Sequence, residues 1–167
     1  MRALARADPT AHDEGLAHAL VALGADLAGA GRLPEAIDTM AESVAVRRGL
    51  SREIPAAHSA ELSQSLANLA LLLLDANRPA QALPAAAEAV LLLKRHHAEA
   101  PELHRADLGR CLSILAVCLD ATGRRPERLA AAVDAIRQYE AACKTEPELT
   151  PHRGPSSPRS KPTPPPV

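Results

Sequence analysis

The chain repeats itself in exact register. The segment LAHALVALGADLAGAGRLPEAIDTMAESV from Leu16 to Val44 aligns without gaps on LSQSLANLALLLLDANRPAQALPAAAEAV from Leu62 and on LGRCLSILAVCLDATGRRPERLAAAVDAI from Leu108, each step being 46 residues. The connector keeps phase as well: Pro9, Pro55, Pro101 and Pro147 share one position, and His12, His58 and His104 another. Three full copies and two partial ones are present. A unit of this size is one supersecondary element that buries its apolar face only against its neighbours, so the repeat decides the fold before any local detail does.

Within each copy the leucines fall at helical spacing, Leu16, Leu20, Leu23 and Leu27 in the first and Leu62, Leu66, Leu69 and Leu73 in the second, which gives one apolar face. Gly31, Asn77 and Gly123 follow, at the place of the left-handed residue that ends a helix, and Pro34 and Pro126 stand where a second helix starts. Each copy therefore reads as a helical hairpin with a short turn. In copy two the helices are expected at about residues 55–76 and 79–97, with Pro84 costing one hydrogen bond and bending the start of the second. Composition agrees: 36 Ala and 25 Leu among 167 residues, one Tyr and no Phe or Trp favour helices over strands. A core without aromatic anchors requires closely spaced helices.

Small residues recur where such helices would touch: Gly24, Ala70 and Ala116 on the first helix, Ala36 and Ala82 on the second, and Ser43, Ala89 and Ala135 further along it. With the leucine spacing and the GRLPEA, NRPAQA and GRRPER turns, the pattern resembles the tetratricopeptide repeat over about residues 9–142. The period departs from that family's usual ~34 residues, and its aromatic positions hold Leu, Met or Ala here; the longer unit is similar to the extended-helix variety of kinesin light chains and large bacterial regulatory proteins. The resemblance implies an all-α fold, an α–α superhelix or solenoid of three antiparallel hairpins at about 9–50, 55–97 and 101–143 within a repeat domain of 9–146. Residues 1–8 match the end of a preceding second helix, as if the array were cut from a longer one, and 147–167 form a Pro/Ser-rich tail expected to be disordered or polyproline-like. The tail contains Arg159, Pro162 and Pro165 in a PxxP arrangement. Arg128 breaks the small-residue pattern at the position of Ala36 and Ala82, and is expected to lay its stem on the terminal hairpin with its head in water.

Charge and composition exclude several functions. With 19 basic and 20 acidic residues the formal charge is −1, so there is no basic excess to neutralise phosphates and, with one aromatic ring, no platform for stacking bases. Arg outnumbers Lys 16 to 3, which reads as GC-rich bacterial coding. The N-terminal MRALARADPTAH lacks the apolar run of a signal peptide and no stretch is long enough for a membrane span, so a cytoplasmic protein is expected. Cys111, Cys118 and Cys143 are an odd number in no CxxC spacing and read as reduced thiols.

No reaction is proposed by the sequence. The in-phase His12, His58 and His104 belong to successive hairpins displaced by at least ~8 to 10 Å, too far for three of them to reach one ion at ~2 Å. Cys111 and His104 are seven apart, about 10 Å along a helix, beyond hydrogen-bond reach. Phosphate loops, HExxH and GxSxG are missing, and Glu35, Glu42 and Glu88 fall on helix surfaces rather than converging. No catalytic residue, metal or cofactor is expected.

What remains is a surface. The resemblance implies a concave groove lined by the first helices, and register places His18, Val21, Ala25, Gln64, Asn68, Leu71, Asp75, Arg110, Ser113, Val117 and Asp120 there. Of the family's carboxylate-clamp residues only Asn68 and Arg110 have matches. Leu71, Leu74 and Val117 among Gln64, Asn68 and Arg110 suit an amphipathic helix or an extended peptide. The expected function is thus a non-enzymatic scaffold or adaptor for a protein or peptide partner. The alternative is the regulatory or sensor arm of a larger multidomain NTPase, protease or transcription regulator whose catalytic part lies outside this chain. Uncapped repeat ends also offer a route to self-association.

Overall fold

Proline opens and a left-handed residue follows the first helix of each hairpin in the computed structural model, which describes residues 9–99 and 101–145. Among these residues the structure is all-helical: α1 (Pro9–Gly29), α2 (Leu33–Glu53), α3 (Pro55–Asp75), α4 (Pro79–Glu99), α5 (Pro101–Ala121) and α6 (Arg125–Thr145). Every helix has 21 residues. The sequence period is therefore also the structural period, since α1, α3 and α5 start at residues 9, 55 and 101. The second helices run slightly further than their leucines and prolines suggest, to 53, 99 and 145. The partial copy expected at 1–8 and the tail at 147–167 lie outside the described residues.

The three turns are closed by the same hydrogen bonds. Gly31, Asn77 and Gly123 take φ of 75°, 56° and 77°. Each donates its amide to the carbonyl three residues back (Ala28, Leu74, Asp120), and the following arginine (Arg32, Arg78, Arg124) donates to the carbonyl five back (Leu27, Leu73, Leu119) at 2.7 to 2.9 Å. This pair of bonds satisfies carbonyls that the helix end would otherwise strand, and only glycine or a short polar residue takes the positive φ cheaply. The same arginines then start the next helix, accepting from Ala36, Ala82 and Arg128.

Cross-helix pairs fix the layout. His58 on α3 lies 3.6 Å from Glu14 on α1, and Arg110 on α5 donates to Asn68 on α3 at 3.4 Å, so first helices lie beside first helices. Arg48 on α2 makes a two-pronged contact with Glu88 on α4, so these two helices come within reach of long side chains. Each helix otherwise packs on its neighbours in the chain. One continuous core runs from Leu27 to Ala135, and a small cluster of Ala116, Leu119 and Ala131 joins α5 to α6. Leu66, Leu93 and Leu108 are fully buried, each contributing about 1.5–3 kcal/mol of transfer free energy.

The small residues do what close packing requires. Ala70, Ala36, Ala82, Ser43 and Ala89 are completely buried. At Gly24 a β-carbon would stand 3.2 Å from the Met40 side chain, so the largest residue of that facing position meets the smallest. The same compensation recurs at Gly109, where a β-carbon would lie 3.1 Å from the Tyr139 ring. Pro84 does not break α4. Pro84 and Ala80 are both exposed, so the carbonyl that loses its usual donor to the proline belongs to a residue outside the core.

Candidate functional site

Two grooves open between the helices. On the first-helix side, a groove of about 320 Å³ between α1 and α3 is lined by Val21, Ala25, Met40, Leu72 and Leu71, with Asn68 and Asp75 as its polar members. It exists because Ala25 and Val21 on α1 are smaller than the leucines opposite them on α3, while Met40 reaches through from α2 past Gly24 to form part of the lining. The result is an apolar trough with an amide and a carboxylate, a combination suited to the alternating polar and apolar groups of a peptide.

The sequence-predicted positions are accessible, being exposed or half-buried throughout, but they do not form one site. Val21, Asn68, Leu71 and Asp75 come together in the α1/α3 groove. Arg110 reaches the edge of that group through its bond to Asn68. His18 turns back on its own helix, its Nδ1 2.9 Å from the Glu14 carbonyl, and Gln64 is exposed. Ser113 donates to the Gly109 carbonyl at 3.0 Å and so spends its hydroxyl within α5. Val117 and Asp120 line a separate depression of about 150 Å³ with Arg128 and Ala132. There Arg128 Nε lies 3.3 Å from Asp120, both side chains well exposed, so the arginine head reaches water as expected and also meets a carboxylate. Met40 and Leu72 escape a reading based on first-helix register alone. The exchange of Gly24 and Met40 against Ala70 and Ala86 is the signal that marks Met40.

The second groove, about 580 Å³, lies between α4 and α6. Leu112, Leu115 and Leu119 of α5 form its floor, Leu83, Ala87 and Val90 one wall, and Ala130 and Ala131 the other, with Lys94, Arg124, Glu127 and Asp134 at the rim. Its openness has a sequence cause. Arg48 and Glu88 bridge α2 to α4, whereas Lys94 and the shorter Asp134 hold those positions across α4 and α6, and Asp134 is taken by Arg137 at 3.0 Å.

Electrostatics single out structural rather than reactive groups. Arg47 is buried, with Nη1 3.1 Å from Glu61 and Nε lacking a partner; burial lowers its pKa and Glu61 opposes the shift. The Glu88 contact raises the pKa of Arg48. Glu35 and Glu127 are held low at the starts of α2 and α6, the first by a hydrogen bond from Arg32, the second by its own backbone amide and then by Arg124. Cys111 and Cys118 are buried, and burial pushes the Cys111 thiol up to about 11, so it stays protonated and unreactive at neutral pH. His58, in the first turn of α3, is buried beside Glu14 of α1. Among the described residues no three His, Cys, Asp or Glu side chains converge to hold a metal, and no helix is long and apolar enough to cross a membrane.

No family model matches this chain, nor does any curated protein sequence.

Proposed function

We propose that this chain is a protein-interaction scaffold: a solenoid of tetratricopeptide-like hairpins that holds a peptide or an amphipathic helix against its first-helix face. The observation that carries the reading is the α1/α3 groove, which gathers Val21, Asn68, Leu71 and Asp75, with Arg110 reaching its edge, in one place. The 46-residue period shared by sequence and helices, with small residues buried at each crossing, supports the solenoid assignment. A partner segment would set apolar side chains on Leu71 and Val21 while Asn68 pairs with its backbone amides or carbonyls. Arg110 already donates to Asn68 and would orient the amide for that task.

Panning a random peptide library on the folded chain tests this. Peptides enriched on the wild type should be lost from Leu71→Asp and from the Asn68→Ala, Arg110→Ala double variant, both of which leave helical content unchanged because the three side chains are exposed or half-buried. Enrichment that survives both variants would place recognition elsewhere, and no enrichment at all would remove the peptide-binding role.

A further inference from the structure

We infer that the outer face of α6 is the docking surface for α1 of a second copy of this chain, so that copies join head to tail. Register makes the case. Val44 on α2 and Val90 on α4 are 2% and 6% exposed because α3 and α5 lie over them, whereas Ile136, the same position on α6, is 57% exposed. Leu129 and Tyr139 likewise stand open where Ile37 and Leu93 are buried. The complementary half is open on α1: Leu16 is 39% exposed where Leu62 and Leu108 are 3% and 2%. Leu23 is exposed beside it.

One chain thus displays both halves of an interface that it already forms twice, as α2 with α3 and as α4 with α5. The occupant that continues this interface is α1 itself, since its Leu16, Leu20, Leu23 and Leu27 repeat Leu62, Leu66, Leu69 and Leu73 position for position. Two different faces meet, so the contact is heterologous and extends beyond a dimer as concentration rises unless a ring closes. One position opposes it. Arg48 pairs with Glu88 between α2 and α4, but across the joint the same two positions are Glu140 of one copy and Glu42 of the next. Two carboxylates then face each other, so salt strengthens the association and a cation at residue 140 strengthens it further.

Light scattering coupled to size exclusion, or sedimentation, on the full chain over a wide concentration range tests the inference. The wild type should rise from 17.5 kDa through multiples of that mass. Ile136→Glu closes the α6 face and Leu23→Glu the α1 face; both residues are exposed, so the variants keep the helical spectrum of the wild type. Each alone should remain monomeric, and an equimolar mixture should form a dimer and stop there, because one open α6 meets one open α1. Glu140→Arg should tighten association by about tenfold at low salt. A wild type that stays at 17.5 kDa at every concentration overturns the inference. So does a mixture that stays monomeric, or an Ile136→Glu effect without a Leu23→Glu effect, which would mean α6 meets α6.

Discussion

The two junctions between hairpins occupy the same register and are filled by different chemistry. At the first, between α2 and α3, Arg47 and Ser59 are buried. At those positions α4 and α5 carry Leu93 and Arg105. The first junction is crossed by Arg47 to Glu61 at 3.1 Å and by a Ser51 to Ser59 hydroxyl pair at 2.9 Å, while the second closes over Leu93; Leu62 and Leu108 are buried alike in the two. One backbone geometry therefore tolerates polar or apolar filling provided that volumes match, but the two do not stabilise it equally. A guanidinium taken out of water with one nitrogen unpaired costs free energy that a leucine in the same place does not. The first hairpin should be the more weakly attached of the two ends.

The largest loss of stability is expected at Leu93. Leu93→Ala should cost about 2–5 kcal/mol in urea-induced unfolding, the range for a fully buried leucine whose surroundings relax only in part. A loss below about 1 kcal/mol would mean that the second junction is not tightly packed.

Alkaline pH separates the second and third repeats next. Cys111 is raised by burial from 9.0 to about 11, and its register partner Ser65 does not titrate. The folded state binds the thiol proton more tightly than the unfolded state, so the stabilisation is complete below pH 9 and is lost as pH rises towards 11. Two units correspond to about 2.7 kcal/mol. Cys111→Ala should remove much of the decline measured between those limits; an equally steep decline in the variant would assign it to other groups.

The smallest effect is expected where the first junction is made to resemble the second. Arg47→Leu installs the residue that α4 uses at this position and leaves Glu61 in contact with water. It should raise stability by about 1 kcal/mol, read as a higher urea midpoint with an unchanged slope. A lower midpoint would show that the Arg47 to Glu61 pair is net stabilising.

How much of this was legible in the sequence depends on whether a feature is local to one repeat. Helix starts, the left-handed Gly31, Asn77 and Gly123, and the buried small residues all follow from register, because each is decided within a few residues or by an identical neighbour. Burial of Arg47 was not legible, since its type suits a surface and only the α3 helix above it closes the site. The exposure of Leu16 and Ile136 runs the other way: their sequence positions suit a core, but among the described residues no helix covers them. Half of the expected groove came together for a similar reason. Side-chain size on the facing helix shapes the α1/α3 trough, and capture by Gly109 or Arg128 removes Ser113 and Asp120 from it.

Native-state hydrogen exchange at increasing denaturant compares the two junctions amide by amide, because each terminal hairpin detaches by opening one junction. Core amides of α1 and α2 should share a subglobal opening free energy lower than that of the core amides of α5. A common opening free energy for all of these amides, or earlier release of α5 than of α2, would contradict it.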